Sequence, residues 1–329
     1  MKTFLKIVGG IALVIAGLAA GAISWLHFKK PASRPASAEK IEATPERLAR
    51  GRYVVEHVSD CLGCHSDHTL GFAMPVKPGT EGEGGYIFDE KLGFPGVVAA
   101  QNITADPTFG LGGWTDGEIL RAMREGVDRN GDALFPMMPY EHLRSMSDED
   151  AKSVVVYLRT LKPVHKGVPD KRLDFPVNFI VKFIPKPLDA PVSAPEKSDT
   201  VAYGKYLSTI GGCHECHSPH DAHNNLIAGR DFSGGWEMKG PWGRVITANL
   251  TPASGTFLGH ATKEEFVGRF KAFASMTAEN APATPAGHNT VMPWIAFGGM
   301  TEDDLGAIYT YLKTLAPIEN KVVTFPDAK

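Results

Sequence analysis

Two short stretches concentrate the reactive side chains of this sequence: "CLGCH" at 61–65 and "CHECH" at 213–217. Together they contain all four cysteines, Cys61, Cys64, Cys213 and Cys216, as two pairs of identical spacing. Two thiols and an imidazole this close could close a zinc site, act as a redox dithiol, or fasten a haem to the chain. Structural zinc is usually gripped by two pairs of ligands closing on one metal, and these pairs lie 152 residues apart. A thioredoxin-like dithiol needs a βαβ setting, of which the sequence shows no sign. The third chemistry fits both stretches. Cysteines at i and i+3 share one face of a helical turn, so both sulfurs reach the vinyl groups of one haem edge, and the residue after the second cysteine points its imidazole at the iron. Cys-x-x-Cys-His is the haem c attachment pattern. Two covalently bound haem c groups are expected, with His65 and His217 as the proximal iron ligands. His214, inside the second motif, reads as a solvated or supporting polar side chain.

The sixth ligand separates an electron carrier from a catalyst, because a methionine sulfur raises the potential whereas an open position admits a substrate. Met138 and Met292 recur at the same offset as Met146 and Met300. Met146 and Met300 immediately precede candidate helix N-caps, Ser147 and Thr301, where an apolar residue packs as a staple. Met138 and Met292 fall outside any expected helix and are each followed by Pro and an aromatic residue, which stiffens the loop carrying the sulfur. They are the expected distal ligands. Met137 is a rival in the first copy, and bis-histidine ligation through His142 or His288 is a further alternative.

The elements that must position these groups repeat. Gly51-Arg52-Tyr53 returns as Gly204-Lys205-Tyr206, Asn102-Ile103-Thr104 as Asn249-Leu250-Thr251, "MPY" as "MPW", and "YLRTLKP" as "YLKTLAP". This order predicts two tandem units, 46–163 and 197–320, joined by a linker over 164–196 and followed by a tail over 321–329. The last helix of each unit should start at Ser147 or Thr301, an N-cap followed by acids that suit the helix dipole. Thr115 with Glu118 and Thr262 with Glu265 read as capping boxes. Alternating strand patterns are nearly absent, so the expected class is all-α.

Outside the repeats, Ile7 to Phe28 is an apolar run broken only by His27 and flanked by Lys2, Lys6, Lys29 and Lys30. At 1.5 Å per residue it spans a bilayer core of roughly 30 Å, and Trp25 suits an interfacial position. Residues 1–30 therefore read as a transmembrane anchor. A signal peptide cleaved near Ala20-Gly21-Ala22 is the alternative. In either case the rest of the chain is expected outside the cytoplasm. Residues 31–45 form a Pro- and Ala-rich tether. In the linker, Phe175 to Ile184 is too apolar for free chain and should pack on the units, with a membrane- or partner-touching role as the alternative. The net charge is -3, and the anchor carries lysines without acids, so the remainder is the more acidic part. Nothing in that balance suggests nucleic acid.

At these residues the sequence resembles the class I cytochrome c family. It is similar in particular to the dihaem and trihaem cytochrome subunits of bacterial membrane-bound alcohol and aldehyde dehydrogenases. The matching features are "CLGCH", "NITADP", "GWTDGEIL" and "LFPMMPY" in the first copy and "CHECH", "ANLTP" and "VMPW" in the second. The resemblance implies a small helical cytochrome c domain around each haem, first and last helices crossing at Gly51 and Gly204, and Met138 and Met292 on the irons. The second copy departs from the pattern at Ala261, opposite Trp114, and in a polar insertion at 277–289. The expected function is electron transfer, without catalysis of its own, at the periplasmic side of a bacterial inner membrane spanned once. Electrons would pass between a dehydrogenase or the quinone pool and a terminal oxidase or soluble cytochrome. The competing expectation is a dihaem redox enzyme, of the peroxidase or thiosulfate-oxidising type, with one open haem site.

Overall fold

The computed structural model describes residues 1–222, 224–240, 242–284 and 289–326. The chain opens with α1 (Lys2–Phe28), 27 residues with no buried member. In the first half, α2 (Pro45–Tyr53) runs into a π-helical turn, Val54–Val58, and is followed by the single-turn α3 (Cys61–Cys64). Next come β1 (Ile87–Phe88) and β2 (Gly96–Ala99), then α4 (Asp116–Glu125), α5 (Tyr140–Leu143) and α6 (Asp148–Leu158). The connection contributes β3 (Arg172–Leu173), α7 (Val177–Ile180) and a 3-10 turn, Val181–Phe183. The second half contains α8 (Thr200–Ile210), α9 (Cys213–Cys216), β4 (Glu237–Gly240), β5 (Gly243–Ile246) and α10 (Phe257–His260). It ends with α11 (Lys263–Lys271), α12 (Trp294–Gly298) and α13 (Glu302–Leu312).

The helices begin where side chains can satisfy their free amides. Ser147 Oγ accepts from Asp150 N at 3.1 Å and Thr301 Oγ1 from Asp304 N at 3.2 Å. Both expected capping boxes form: Thr115 and Thr262 each accept from the glutamate three residues on, whose carboxylate accepts in return. Caps of this kind contribute about 1 kcal/mol each. Met146 and Met300 are buried just ahead of these caps, which is a packing role.

In each half the first long helix crosses the last, α2 on α6 and α8 on α13. The crossing is as close as backbones allow. A Cβ on Gly51 would stand 1.9 Å from Ser153 O, and one on Gly204 1.9 Å from Ala307 O. No residue larger than glycine fits without parting the helices. Val54, Val154, Leu207 and Leu305 are buried in the one core cluster that the two halves share.

The all-α expectation needs correction: the protein is mainly helical, with two small sheets among the described residues. The antiparallel order β1-β2-β3 pairs Ile87 with Ala99 and Gly96 with Leu173, and β4 pairs β5 with Met238 opposite Val245. These strands are two to four residues long, too short to display an alternating pattern in sequence. The tether is extended but docked. Arg34 pairs with Glu125 at 2.8 Å, Lys152 with Glu39 at 2.6 Å, and Ile41 is buried. The linker follows the surface of the first half, where Arg144 Nη2 donates to Pro187 O and Asp148 N to Val192 O.

Candidate functional site

Each Cys-x-x-Cys-His stretch forms one α-turn. His65 N donates to Cys61 O at 3.1 Å and His217 N to Cys213 O at 3.0 Å. A residue in the left-handed region leads into each turn, Asp60 (φ 44) in one and Gly212 (φ 69) in the other. The imidazoles are aimed by their other nitrogen. His65 Nδ1 lies 2.6 Å from Gln101 O, and His217 Nδ1 lies 2.7 Å from Ala248 O. A carbonyl only accepts, so Nδ1 carries the proton and Nε2 keeps its lone pair. Among the described residues, neither Nε2 has a hydrogen-bond partner. Burial depresses both imidazole pKa values, with the carbonyl contact opposing it, which favours the neutral form that binds metal.

The repeated Asn-x-Thr motif explains those carbonyls. Asn102, next to Gln101, accepts from Thr104 N and Oγ1 and donates through Nδ2 to Val164 O at 2.8 Å and Lys166 O at 3.1 Å. Asn249, next to Ala248, does the same with Thr251, Ile318 and Asn320. Each loop is thereby tied to the chain that leaves the last helix. On the other side, Gly84 N donates to His65 O at 2.9 Å and Gly234 N to His217 O at 2.7 Å. Both glycines have positive φ, 71° and 65°, and a Cβ on either would stand within about 2.6 Å of neighbouring backbone. The sequence marked Asn102 and Asn249 only as repeated; their task of holding the histidine's acceptor became visible in three dimensions.

Three of the four thiols belong to half-buried residues. Cys64 is exposed, yet burial by the surrounding protein, with the Asp60 charge beside it, pushes its pKa up to about 12. Cys61 and Cys216 are likewise pushed up to about 12, with burial the largest cause. Raised thiol pKa values disfavour the thiolate, the opposite of what a redox dithiol requires. None of the four is in a disulfide. Among the described residues no group of three or more His, Cys, Asp or Glu side chains is arranged to hold a metal ion. Two thiols one turn apart, beside an imidazole with a free Nε2, are a donor set that fits a covalently held haem.

The methionines divide as their neighbours dictate. Met138 packs against the core cluster, whereas the adjacent Met137 is exposed. Met292 also packs on the core. The two sulfur-bearing loops fold alike: Tyr140 N donates to Met138 O and Trp294 N to Met292 O, each at 2.8 Å across the intervening proline. His142 is engaged elsewhere, with Nε2 3.3 Å from Glu215 Oε2. His288 lies outside the described residues.

The two attachment turns are neighbours. Ser59 Oγ, just before Cys61, donates to Ile210 O, just before Cys213, at 3.0 Å. Glu215, between Cys213 and Cys216, receives His142 from the first half and His220 from its own, which hold its carboxyl at about 2. The halves also exchange tyrosines. Tyr53 Oη donates to Asp304 at 2.7 Å and accepts from Thr301 N; Tyr206 Oη donates to Asp150 at 2.6 Å and accepts from Ser147 N. Each tyrosine thus caps the last helix of the other half.

Sequence comparison finds the chain similar to c-type cytochromes. It is a relative of cytochrome c subunits of bacterial dehydrogenases and of a dihaem c-type cytochrome, at low identity. It is 29% identical over 298 residues to the cytochrome c subunit of the alcohol dehydrogenase (quinone) of Gluconacetobacter polyoxogenes, covering 86% of this chain and 59% of that one. It is 28% identical over 296 residues to the fructose dehydrogenase cytochrome subunit of Gluconobacter japonicus, covering 84% and 55%. The dihaem cytochrome c-type protein of Cereibacter sphaeroides is 27% identical over 263 residues, covering 75% and 80%. The chain thus spans less than two thirds of the length of the two dehydrogenase subunits. No protein-family model matches it.

Proposed function

We propose that this protein is a dihaem c-type cytochrome that carries electrons and performs no catalysis of its own. Two tandem cytochrome c domains, 46–163 and 197–320, joined by the linker 164–196, would each hold one haem c. Cys61, Cys64, His65 and Met138 would hold the first; Cys213, Cys216, His217 and Met292 would hold the second. Haem c supplies a one-electron couple, and methionine ligation sets it high.

The chain's own part is positional. His65 and His217 present Nε2 because Gln101 O and Ala248 O retain the Nδ1 protons. Asn102 and Asn249 keep those carbonyls in place, and the shared core together with the tyrosine exchange keeps the two attachment turns side by side. The observation that carries the reading is this repeated turn, with Nδ1 occupied and Nε2 and two thiols left over, in a chain whose relatives are named as cytochromes.

We further propose that α1 anchors the protein once in a bacterial inner membrane, with the haem domains in the periplasm. It is long and apolar enough to cross a bilayer. Electrons would enter from a dehydrogenase subunit or the quinone pool and leave to a terminal oxidase or soluble cytochrome. Mass spectrometry of the full chain, matured in a host that attaches haem c, tests the cofactor directly. The expected mass includes two haems and no alkylatable thiol; a chain with four free thiols would refute the reading.

A further inference from the structure

The linker segment 175–184 presents apolar side chains to solvent at one particular place. Phe175 is 80% exposed, Ile180 53% and Phe183 52%, while Val181 between them is buried at 3% and fixes the segment to the body. This patch adjoins the C-terminal end of α1. Lys182 Nζ donates to Leu26 O at 2.9 Å and His27 O at 2.7 Å, the carbonyls left free where that helix ends. Lys29 stands 5.0 Å from the centre of the Phe183 ring and 5.2 Å from that of Trp25. The body also holds the helix end through Lys30 and Asp132, 2.6 Å apart.

The end of a spanning helix marks the depth of the membrane surface. The apolar run of α1 stops at Phe28, Trp25 sits one turn earlier, and two lysines follow. That order of aromatic residue and lysines belongs at the boundary between hydrocarbon and headgroups. Side chains clipped to the carbonyls of residues 26 and 27 lie at the same depth. We infer that Phe175, Ile180 and Phe183 enter the interfacial layer of the bilayer crossed by α1, making the linker a second membrane contact. This inference rests on the reading of α1 as a membrane anchor. Exposed Lys186 and half-buried Lys29 are cations close to the patch in sequence or in space and suit anionic headgroups. The consequence is mechanical. A single helix followed by a tether would let the body tilt freely, whereas a helix and a wedge beside it fix the first half against the surface.

The test uses the full haem-loaded chain in bilayer nanodiscs of phosphatidylethanolamine and phosphatidylglycerol. The photo-reactive residue benzoylphenylalanine is placed, one site at a time, at Phe183, Ile180, Val14 and Val323. Val14 lies within α1, and Val323 is an exposed site in the tail that follows the second half. After irradiation, lipid adducts are counted by mass spectrometry. The expected result is lipid adducts at Phe183 and Ile180 several-fold above those at Val323, with strong adducts at Val14. Adducts at Val14 but only Val323-like yields at Phe183 and Ile180 would overturn the inference and leave the anchor intact. So would yields at those two sites that go to an added dehydrogenase subunit instead of lipid. Absence of lipid adducts at Val14 would remove the anchor and the inference with it.

Discussion

In the first half, the carboxylate of Asp150 is gripped by Arg50, through two contacts of 2.7 Å, and also takes the hydroxyl of Tyr206 from the second half. The matching Asp304 takes Tyr53 from the first half, but Tyr203 stands where an arginine would be. Similar differences recur away from the attachment turns. Trp114 is replaced by Ala261, and Tyr309, standing where the first half has Val155, donates to Ala261 O at 2.8 Å. An aromatic ring lost from one element is regained on its neighbour. What the halves keep in common is narrower: the glycine crossing, the carbonyl behind each histidine, the asparagine that holds it, and the methionine loop. The periphery and the interface differ between the halves, while the parts that would touch a haem are alike.

The largest test of that sameness is the helix crossing. Gly51→Ala and Gly204→Ala should each cost about 3 kcal/mol, the upper range for overpacking, because the new Cβ meets a carbonyl oxygen at 1.9 Å in both. Denaturant unfolding of the haem-loaded protein measures this, and a much smaller loss in one half would break the equivalence. Next come Asn102→Ala and Asn249→Ala. Each strips two carbonyls and a threonine of their partner, at about 2 kcal/mol by the cost of unmade buried hydrogen bonds. Each should also perturb the spectrum of the haem in its own half only.

The interface should show the opposite, an unequal response. Tyr53→Phe removes the tyrosine from Asp304 and should cost about 2 kcal/mol, whereas Tyr206→Phe leaves Asp150 its arginine and should cost about 1 kcal/mol. Equal losses would show that Arg50 contributes nothing to the difference. The smallest effect is a pH dependence. Burial alone would raise the Asp150 carboxyl, but Arg50 and then Tyr206 outweigh it and hold it below the usual range. Its contribution to stability is therefore complete above the unfolded value, about 4, and is lost as pH falls through the lower folded value. Arg50→Ala should flatten that acid-side slope of stability against pH; an unchanged slope would assign the acid sensitivity to other groups.

What the sequence revealed follows from how local each signal is. The capping boxes at Thr115 and Thr262, the caps at Ser147 and Thr301 and the attachment turns are each written within five residues, and all were legible. Met146 and Met300 were recognisable as packing residues from their place before a cap. The strands escaped notice because two to four residues cannot establish a period. The pairing of Tyr53 with Asp304 spans 251 residues, and that of His142 with Glu215 joins the halves. Contacts of this reach leave no mark on local spacing. The same holds for the patch at Phe175, Ile180 and Phe183. Its apolarity was plain in the sequence, but its position beside the end of α1 was not.

The proposed dihaem cytochrome would hold two irons, each by a histidine nitrogen and a methionine sulfur. Near-infrared magnetic circular dichroism of the oxidised full chain reads this most directly, through the band in which methionine sulfur donates charge to low-spin ferric iron. The intensity should correspond to two such centres per chain and fall to half of that value in Met138→Ala and, separately, in Met292→Ala. A high-spin signal from either centre in the unmodified protein, or full intensity surviving in one of those variants, would contradict the account.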